Sequence, residues 1–272
     1  MSNKNKNIKI PFTKCHANGN DFVLLKSNDL NENVLNESMI KKICDRHRGV
    51  GSDGLFVISP SKRYDFKLDY YNSDGSQESL CANGSRCAVL FMNKLGVVNN
   101  DCVFMAGDGQ HKATILADEM ISMKMQTPQY KSSLISPEGC DGYYIDTGAR
   151  HFICESNNLT NDFVYNMGKK IRHSKYFSPG GVNVNFFQLN NKGGVNIKTY
   201  EKGVEAIMQS CASGSTAVVF HLSQINTISS PTITQSVGGK LTFIFDNKWG
   251  DPWVKGPAVC LFGGEFETDI LI

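Results

Sequence analysis

One five-residue motif occurs twice in this chain, and its repetition limits the folds that the sequence can adopt. Residues 81–85 read Cys-Ala-Asn-Gly-Ser and residues 211–215 read Cys-Ala-Ser-Gly-Ser, an offset of 130 residues (211 − 81). Matches that keep one order and one register predict a duplicated unit of roughly half the chain. Further matches at the same offset join residues 21–24 with 151–154, Gly51 with Gly181, and Phe56 with Phe186.

The local patterns predict many short strands and two buried helices. Segments of alternating polarity, typical of half-buried strands, occur at residues 66–70, 121–125 and 195–199. Residues 84–94 and 214–222 follow the repeated motif and are apolar nearly all round, as is typical of helices inside a core. We therefore expect two similar α+β halves, each with short strands curled round one buried helix. A surface helix is also predicted over residues 162–173.

The duplication predicts how the chain is divided. We expect an N-terminal half, residues 1–126, that carries Cys81, and a C-terminal half, residues 127–260, that carries Cys211. Residues 127–141 contain two prolines and a glycine without a clear period, so they are expected to link the halves. The last strand, about residues 261–272, is expected to return to the N-terminal half.

The composition favours a protein with a packed core and a small-molecule ligand. The 272 residues are 40% hydrophobic, and 28 Lys and Arg against 26 Asp and Glu leave a net charge of +2. A nucleic-acid or membrane-surface protein would carry more positive charge. No apolar run approaches the ~18 residues of a membrane span, and residues 1–7 lack the apolar stretch of a signal peptide. The sequence therefore predicts a cytoplasmic protein without nucleic-acid or membrane partners.

The nine cysteines do not form a disulfide or zinc pattern. Their number is odd, the chain is long, and no two of them form a C-x-x-C pair. No metal site is therefore predicted. Most of these residues are interpreted as small buried hydrophobes, in particular four that lie in apolar segments: Cys44, Cys102, Cys154 and Cys260.

Residues 49–54 match the pattern G-x-G-x-x-G, which can indicate a dinucleotide site. Such a site requires a strand before the loop and a helix after it. Here a strand-like run, residues 55–58, follows the loop instead. We therefore reject a dinucleotide-binding fold.

Cys81 and Cys211 differ from the other cysteines because each precedes a small-residue turn that opens a buried helix. The partial positive charge of a helix start favours a thiolate and is expected to lower a thiol pKa by about one unit. Two such groups facing each other would tend to share one proton. A racemase or epimerase without a cofactor needs this arrangement, since one thiolate removes a proton and the opposite thiol returns one. The alternative is two capping turns with buried cysteines.

The motifs resemble those of diaminopimelate epimerases nearly from end to end. The resemblance rests on residues 12–22, 45–54, 71–76, 81–84, 181–186, 200–205 and 211–214. It implies an α/β (α+β) fold of two pseudo-symmetric domains, each a curled, mainly antiparallel sheet wrapped round a central buried helix, with the active site between them. It also implies a homodimer that needs no pyridoxal phosphate or other cofactor and interconverts LL- and meso-diaminopimelate, a precursor of lysine and peptidoglycan.

Matched position by position, the resemblance implies that Cys81 and Cys211 are the acid/base pair. The positions that it implies for substrate contacts are Asn20, Asn72, Ala82, Asn83, Gly84, His151, Asn183, Glu201, Lys202, Ala212 and Ser213. For an isolated Asn72, Asn183 or His151, a purely structural role is the alternative. Asp21 and Asp53 are interpreted as structural capping carboxylates.

The sequence departs from the family at the end of the site that selects the substrate. Lys202 replaces the arginine that would clamp a distal carboxylate, and a lysine cannot form the same two-pronged contact. Ala149 replaces an asparagine, and Arg150 is a possible substitute guanidinium. Two alternatives therefore stay open, namely an epimerase of another amino acid and a non-catalytic binding protein on the same scaffold.

Overall fold

The computed structural model describes residues 9–30, 35–190 and 193–267, in which a large sheet packs around few helices. The helices are α1 (Glu37–Cys44), α2 (Ala82–Lys94), α3 (Asn161–Arg172) and α4 (Ala212–Gln224). The strands are β1 (Lys9–Ala17), β2 (Asn20–Lys26), β3 (Gly54–Ser59), β4 (Phe66–Asn72), β5 (Gln77–Glu78), β6 (Asp101–Ala106), β7 (Gly109–Ile115), β8 (Met120–Lys124), β9 (Gln129–Tyr130), β10 (Gly142–Asp146), β11 (Arg150–Glu155), β12 (Asn183–Leu189), β13 (Val195–Glu201), β14 (Ala206–Ile207), β15 (Thr232–Ser236), β16 (Gly239–Ile244), β17 (Trp253–Pro257) and β18 (Val259–Glu267).

Two sets of strands repeat one pairing pattern. In the first set, β1 and β2 pair antiparallel, β2 and β3 parallel, β3 and β4 antiparallel, and β4 and β6 parallel. In the second set, β10 to β13 and β15 repeat that order of directions. The register repeats as well, because Phe22 lies opposite Gly54, and Phe152 lies opposite Val184, 130 residues further along both strands. The predicted duplication and fold class are confirmed.

Helices α2 and α4 occupy equivalent places in the two sets. Their first residues, Ala82 and Ala212, and their last, Lys94 and Gln224, keep the offset of 130. Both helices are buried along most of their length, as the apolar sequence predicts. The predicted surface helix is also present as α3, which begins after Thr160, whose side chain accepts a hydrogen bond from the backbone N–H of Phe163.

A glycine in the first turn of each buried helix allows the helix to approach its sheet. A Cβ atom added to Gly84 would lie 1.9 Å from the ring of Phe56 on β3. The equivalent atom on Gly214 would lie 2.0 Å from the side-chain oxygen of Asn185 on β12. No side chain fits at either position without moving its neighbour, so the repeated motif requires glycine for packing.

Three further pairings join the strand sets. β8 pairs with β17, β9 pairs with β10, and β18 returns to pair antiparallel with β1. The return of the last strand to β1 agrees with the expectation for residues 261–267, whereas residues 268–272 lie outside the described residues. The division of the chain at residues 126 and 260 remains a proposal, because continuous sheet pairing crosses between the sets.

Three further predictions concern the alternating strand segments, the G-x-G-x-x-G loop and membrane spans. The segments at 66–70, 121–125 and 195–199 lie in or directly beside β4, β8 and β13. Helix α1 precedes the G-x-G-x-x-G loop and β3 follows it, so a dinucleotide-binding arrangement is absent there. In the described part of the chain, no helix is both long and apolar enough to cross a membrane.

Three of the four cysteines interpreted as small hydrophobes are buried, namely Cys44, Cys102 and Cys154. The interpretation is wrong for Cys260, which is partly exposed and whose sulfur lies 3.3 Å from that of Cys15. The cause is its place on β18, opposite Cys15 on β1.

We expect Gly84→Ala to destabilise the protein by about 1–3 kcal/mol, because the added methyl group overlaps the Phe56 ring. Gly250→Ala is the matched control, since the nearest atom to its Cβ would be 3.7 Å away and its backbone is not left-handed. Urea unfolding followed by circular dichroism measures both. Equal midpoints for the two variants would contradict the packing role of Gly84.

Candidate active site

The first turns of α2 and α4 meet at a cavity of about 370 Å³. Cys81 and Cys211, the residues directly before the two helices, both line it. The repeated motif is therefore brought together at one cavity rather than buried at two separate places. Both motifs therefore contribute to the same cavity, although the Cys211 sulfur also caps its helix by accepting from the backbone N–H of Gly214.

Most of the residues singled out from the sequence lie around this cavity. Besides the two cysteines, those that line it are Asn20, Asn72, Ala82, Asn83, Asn183, Glu201, Lys202, Ala212 and Ser213. Gly84 and His151 do not line it. Gly84 faces Phe56, as described above, and His151 is fully buried behind Ser213.

His151 is held by hydrogen bonds on both sides of its ring. Its Nδ1 atom accepts from Asn185 Nδ2 at 3.1 Å, so its Nε2 atom carries the hydrogen and donates to Ser213 Oγ at 3.0 Å. Burial lowers the pKa of His151 to about 3, so the ring is neutral. Ser213 Oγ in turn lies 3.5 Å from Cys211 Sγ. Because that oxygen already accepts from His151, its own hydrogen is left for the sulfur.

The carboxyl group of Glu201 lies beside the Cys211 thiol. Its sulfur accepts a hydrogen bond from the backbone N–H of Gly214 at 3.4 Å. Burial raises the pKa of Glu201 to about 7, although a hydrogen-bonding interaction with Cys211 opposes the rise. Glu201 Oε2 is buried without a hydrogen-bond partner among the described residues. A proton acceptor with an unused oxygen therefore lies against this thiol.

The hydrogen-bonding contacts of Cys81 are with neutral amides instead. Its sulfur lies 3.8 Å from Asn20 Oδ1, which also accepts from Asn83 Nδ2 at 3.1 Å. Asn20 is oriented from behind, because its Nδ2 atom donates to Asp53 Oδ2 at 2.8 Å. Asn83 also donates to the backbone oxygen of Ser210, directly before Cys211, at 2.9 Å. This amide network joins the surroundings of the two thiols.

The prediction that the helix starts bring the thiol pKa close to neutrality is wrong. Burial raises the pKa of Cys81 to about 12, and the nearby backbone N–H groups of Asn83 and Gly84 lower it only in part. Burial and then the charge of Glu201 raise the pKa of Cys211 well above its usual value. Desolvation of the anion outweighs the helix start at both sites, so both thiols are protonated at neutral pH.

A buried guanidinium group near Cys81 was missed by the sequence analysis. Arg86 is fully buried in α2 and donates to Ala82 O, Asn18 Oδ1 and Asn83 Oδ1 at 2.8–3.2 Å. Burial lowers its pKa to about 10, so it stays charged, and its charge favours a thiolate at Cys81. The position equivalent to Arg86 in α4 is Thr216. An arginine in an otherwise apolar helix was the signal that was overlooked.

Asp21 and Asp53 do not cap helices, so that interpretation is wrong. Asp21 forms ion pairs with Lys14 at 2.6 Å and with Arg46 at 2.7 Å. Asp53 pairs with Arg46 at 2.7 Å, lines the cavity and orients Asn20. Their place at the ends of β2 and β3 brings them together across a parallel strand pair.

The cavity wall also carries charged side chains. Lys202 Nζ lies 2.9 Å from Glu78 Oε1, and Arg150 also lines the cavity. The backbone N–H of Lys202 donates to Asn183 Oδ1 at 2.8 Å, and Tyr70 Oη donates to Asn72 Oδ1 at 2.5 Å. Glu78 and Tyr70 were not singled out from the sequence, because nothing local distinguishes them. In the described ranges, no three His, Cys, Asp or Glu side chains are grouped so as to hold a metal ion.

Comparison with known proteins assigns the chain to a family. The family model described as diaminopimelate epimerase matches residues 12–131. A diaminopimelate epimerase of Flavobacterium psychrophilum is 36% identical over 254 residues, which are 92% of this chain and 97% of that protein. The chain belongs to the diaminopimelate epimerase family. A second member of this family, from Aquifex aeolicus, is 32% identical over 96% of this chain and 99% of its own length.

Solved structures share the fold of this family member at low sequence identity. A hydroxyproline epimerase from Agrobacterium vitis, with bound trans-4-hydroxy-L-proline, superposes with a TM-score of 0.77 and 12% identity, over 98% of this chain and 94% of that one. A Bacillus anthracis phenazine biosynthesis protein of the PhzF family gives a TM-score of 0.75 and 15% identity, over 95% and 99%. These likenesses concern the fold alone.

The buried carboxyl group of Glu201 makes stability depend on pH. Its pKa is about 7 in the folded protein and 4.5 in a model peptide, so ionisation opposes folding. The contribution of Glu201 to the free energy of unfolding is fully present below pH 4.5. This contribution, about 2–4 kcal/mol, is lost as the pH rises through about 7. We expect Glu201→Gln to remove this loss in urea unfolding at pH 5 and pH 8. Glu37→Gln is the control, since Glu37 is exposed. If Glu201→Gln keeps the pH dependence of the unmodified protein, another group is responsible for the loss of stability.

Proposed function

We propose that this protein is a cofactor-independent epimerase that interconverts LL- and meso-diaminopimelate, with Cys81 and Cys211 as its two acid/base groups. The observation that carries the proposal is the meeting of both cysteines, each directly before a buried helix, at one cavity. The family membership supports the substrate. We further propose that the enzyme acts in the cytoplasm as a homodimer.

The proposed reaction removes a proton from one face of the substrate's α-carbon and delivers a proton to the opposite face. The thiolate of one cysteine takes the α-hydrogen as a proton, and the electron pair of the broken C–H bond stays on carbon, next to the α-carboxylate. The thiol of the other cysteine then donates its proton to the opposite face. The backbone N–H groups of the first turns of α2 and α4 lie at the cavity and would hold this carboxylate.

The high thiol pKa requires an acceptor for the first proton. Glu201 has a pKa of about 7, lies against Cys211 and has one oxygen without a partner. Transfer of the Cys211 proton to this carboxylate would give a thiolate inside the cavity without exposing it to water. Ser213, oriented by neutral His151, would donate its hydroxyl hydrogen to that thiolate.

The distal end of the cavity suits a second amino-acid group. Diaminopimelate carries an ammonium and a carboxylate there, and Glu78 and Lys202 offer one charge of each sign at the cavity wall. We propose that Glu78 faces the distal ammonium and Lys202 the distal carboxylate, with Asn72 and Asn183 beside them. This arrangement would replace the two-pronged contact of the family's arginine.

Exchange of the α-hydrogen with solvent tests the reaction directly. Incubated with either diaminopimelate isomer in deuterated water, the protein should incorporate deuterium at one α-carbon, as measured by mass spectrometry. Cys81→Ala and Cys211→Ala should each lower turnover by at least ~10³-fold, because each removes one proton donor or acceptor. Cys140→Ala is the control, since Cys140 does not line the cavity.

Two results would contradict this proposal. Tight stereoselective binding without exchange by the intact protein would favour a non-catalytic binding protein. Exchange with a different amino acid, found by chiral chromatography of a substrate panel, and none with diaminopimelate would assign another substrate.

The distal contacts predict a change in binding rather than in chemistry. We expect Glu78→Gln and Lys202→Met each to raise KM for diaminopimelate by about 10-fold or more with kcat little changed, because the contacts are made equally before and during reaction. Lys198→Met is the control, since Lys198 bonds Asn161 outside the cavity. Steady-state kinetics measures all three. A fall in kcat at constant KM would place these residues in the chemistry instead.

A further inference from the structure

A second pair of cysteines lies away from the cavity, where the first and last described strands meet. Cys15 on β1 is directly opposite Cys260 on β18, and their sulfur atoms are 3.3 Å apart. The two residues are separated by 245 positions in the sequence. Neither of them lines the cavity that holds Cys81 and Cys211. The proposed epimerase reaction gives this pair no role.

Cys15 and Cys260 are opposed on antiparallel strands, directly beside an irregularity in the pairing between Lys14 and Cys15. Directly opposed residues of antiparallel strands have Cα atoms about 4.5–5.5 Å apart, within the range found across disulfides. The sulfur atoms have to approach from 3.3 Å to about 2.05 Å for a bond to form. We infer that rotation of the two side chains can supply this approach.

The two thiols have different surroundings. Cys15 is fully buried, whereas Cys260 is partly exposed. The Cys15 thiol donates its hydrogen bond to the Cys260 sulfur. That bond, together with the nearby charge of Lys94, lowers the pKa of Cys260, whereas the same interaction and burial raise the pKa of Cys15. An accessible thiol with thiolate character beside a buried one is the arrangement of peroxide-reactive cysteine pairs.

We propose that Cys260 and Cys15 form a peroxide-oxidisable site, in which Cys260 is the attacked thiol and Cys15 resolves it to a disulfide. The Cys260 thiolate attacks one oxygen of the hydroperoxide and the O–O bond breaks. The other oxygen leaves as hydroxide or alkoxide and takes up a proton, and Cys260 becomes a sulfenic acid. The Cys15 sulfur then attacks the Cys260 sulfur, and the S–OH oxygen leaves as water with the Cys15 proton. With hydrogen peroxide, two thiols and one peroxide give one disulfide and two waters.

Cys87 is the alternative partner for Cys260. It is fully buried in α2, and burial, together with the nearby Cys260, raises its pKa. No hydrogen bond joins their sulfur atoms among the described residues, and Cys87 is not the cross-strand neighbour of Cys260. The geometry therefore favours Cys15 as the resolving residue.

Peptide mapping after peroxide treatment tests the site without using epimerase activity. The double variant Cys81→Ala/Cys211→Ala removes the cavity thiols, so that their oxidation cannot contribute to the result. Trypsin separates Cys15, Cys87 and Cys260 into peptides 15–26, 87–94 and 256–272, each with a single cysteine. We expect a loss of 2 Da in the intact protein and a link between peptides 15–26 and 256–272. A link from 256–272 to 87–94, or over-oxidised Cys260 with free Cys15, would overturn the proposal.

Single variants in the same background separate the two roles. With Cys15→Ser, dimedone should trap a sulfenic acid on Cys260, because no resolving thiol remains. With Cys260→Ser, Cys15 should stay reduced, because it is buried. Cys102→Ser is the control, since Cys102 is buried elsewhere and should leave the link unchanged. We expect peroxide to oxidise Cys260 at least about 10-fold faster than Cys102. Oxidation of Cys260 at the same rate as Cys102, or more slowly, would also overturn the proposal.

Discussion

The structure depends on placing two sulfur atoms at the starts of two helices that lie inside the core. Each helix start offers N–H groups and partial positive charge to its thiol, but the burial that creates the cavity also removes the water that would stabilise a thiolate. Burial outweighs the helix start at both positions, since it raises the pKa of Cys81 to about 12 and that of Cys211 well above its usual value. The site is therefore built to hold neutral thiols at rest. Ionisation then has to be coupled to a local acceptor and to the charge of a bound substrate, rather than to the pH of the solvent.

Duplication gives the two thiols the same backbone but not the same neighbours. The helices begin and end at equivalent residues, and a glycine in each first turn, Gly84 and Gly214, faces a side chain of the sheet. Around that shared frame, Cys81 contacts the amide of Asn20, whereas Cys211 lies between Ser213 and Glu201. In the proposed two-base reaction, this difference would let Cys211 pass its proton to Glu201 while Cys81 stays protonated. The residues that the two repeats share fix the positions of the thiols, and the residues that differ determine which groups are protonated.

The sequence predicted the arrangement of the backbone better than it predicted the pKa values and charged contacts of the site. The offset of 130 residues was sufficient to place α2 and α4 and to bring Cys81 and Cys211 to one cavity, because the repeat carries the strand register with it. The position of His151 behind Ser213 could not be predicted from a family match, since it depends on the hydrogen bond from Asn185 on a neighbouring strand. The pair Glu78–Lys202 and the contact of Cys15 with Cys260 join residues 124 and 245 positions apart. No local pattern carries such information.

Two buried charges act on the thiols in opposite directions. Arg86 has no carboxylate among its hydrogen-bond partners, and its Nε atom has no partner in the described part of the chain. A buried cation of this kind favours negative charge nearby, so it lowers the pKa of Cys81 and would be partly neutralised by a thiolate there. Glu201 opposes ionisation of both thiols, and its contribution is the second largest after burial at Cys211. Protonation of Glu201 removes this opposition. In the proposed reaction, the proton that leaves Cys211 for Glu201 would convert the carboxylate from a group that resists a thiolate into one that permits it, while Arg86, buried in α2 near Cys81, stays charged.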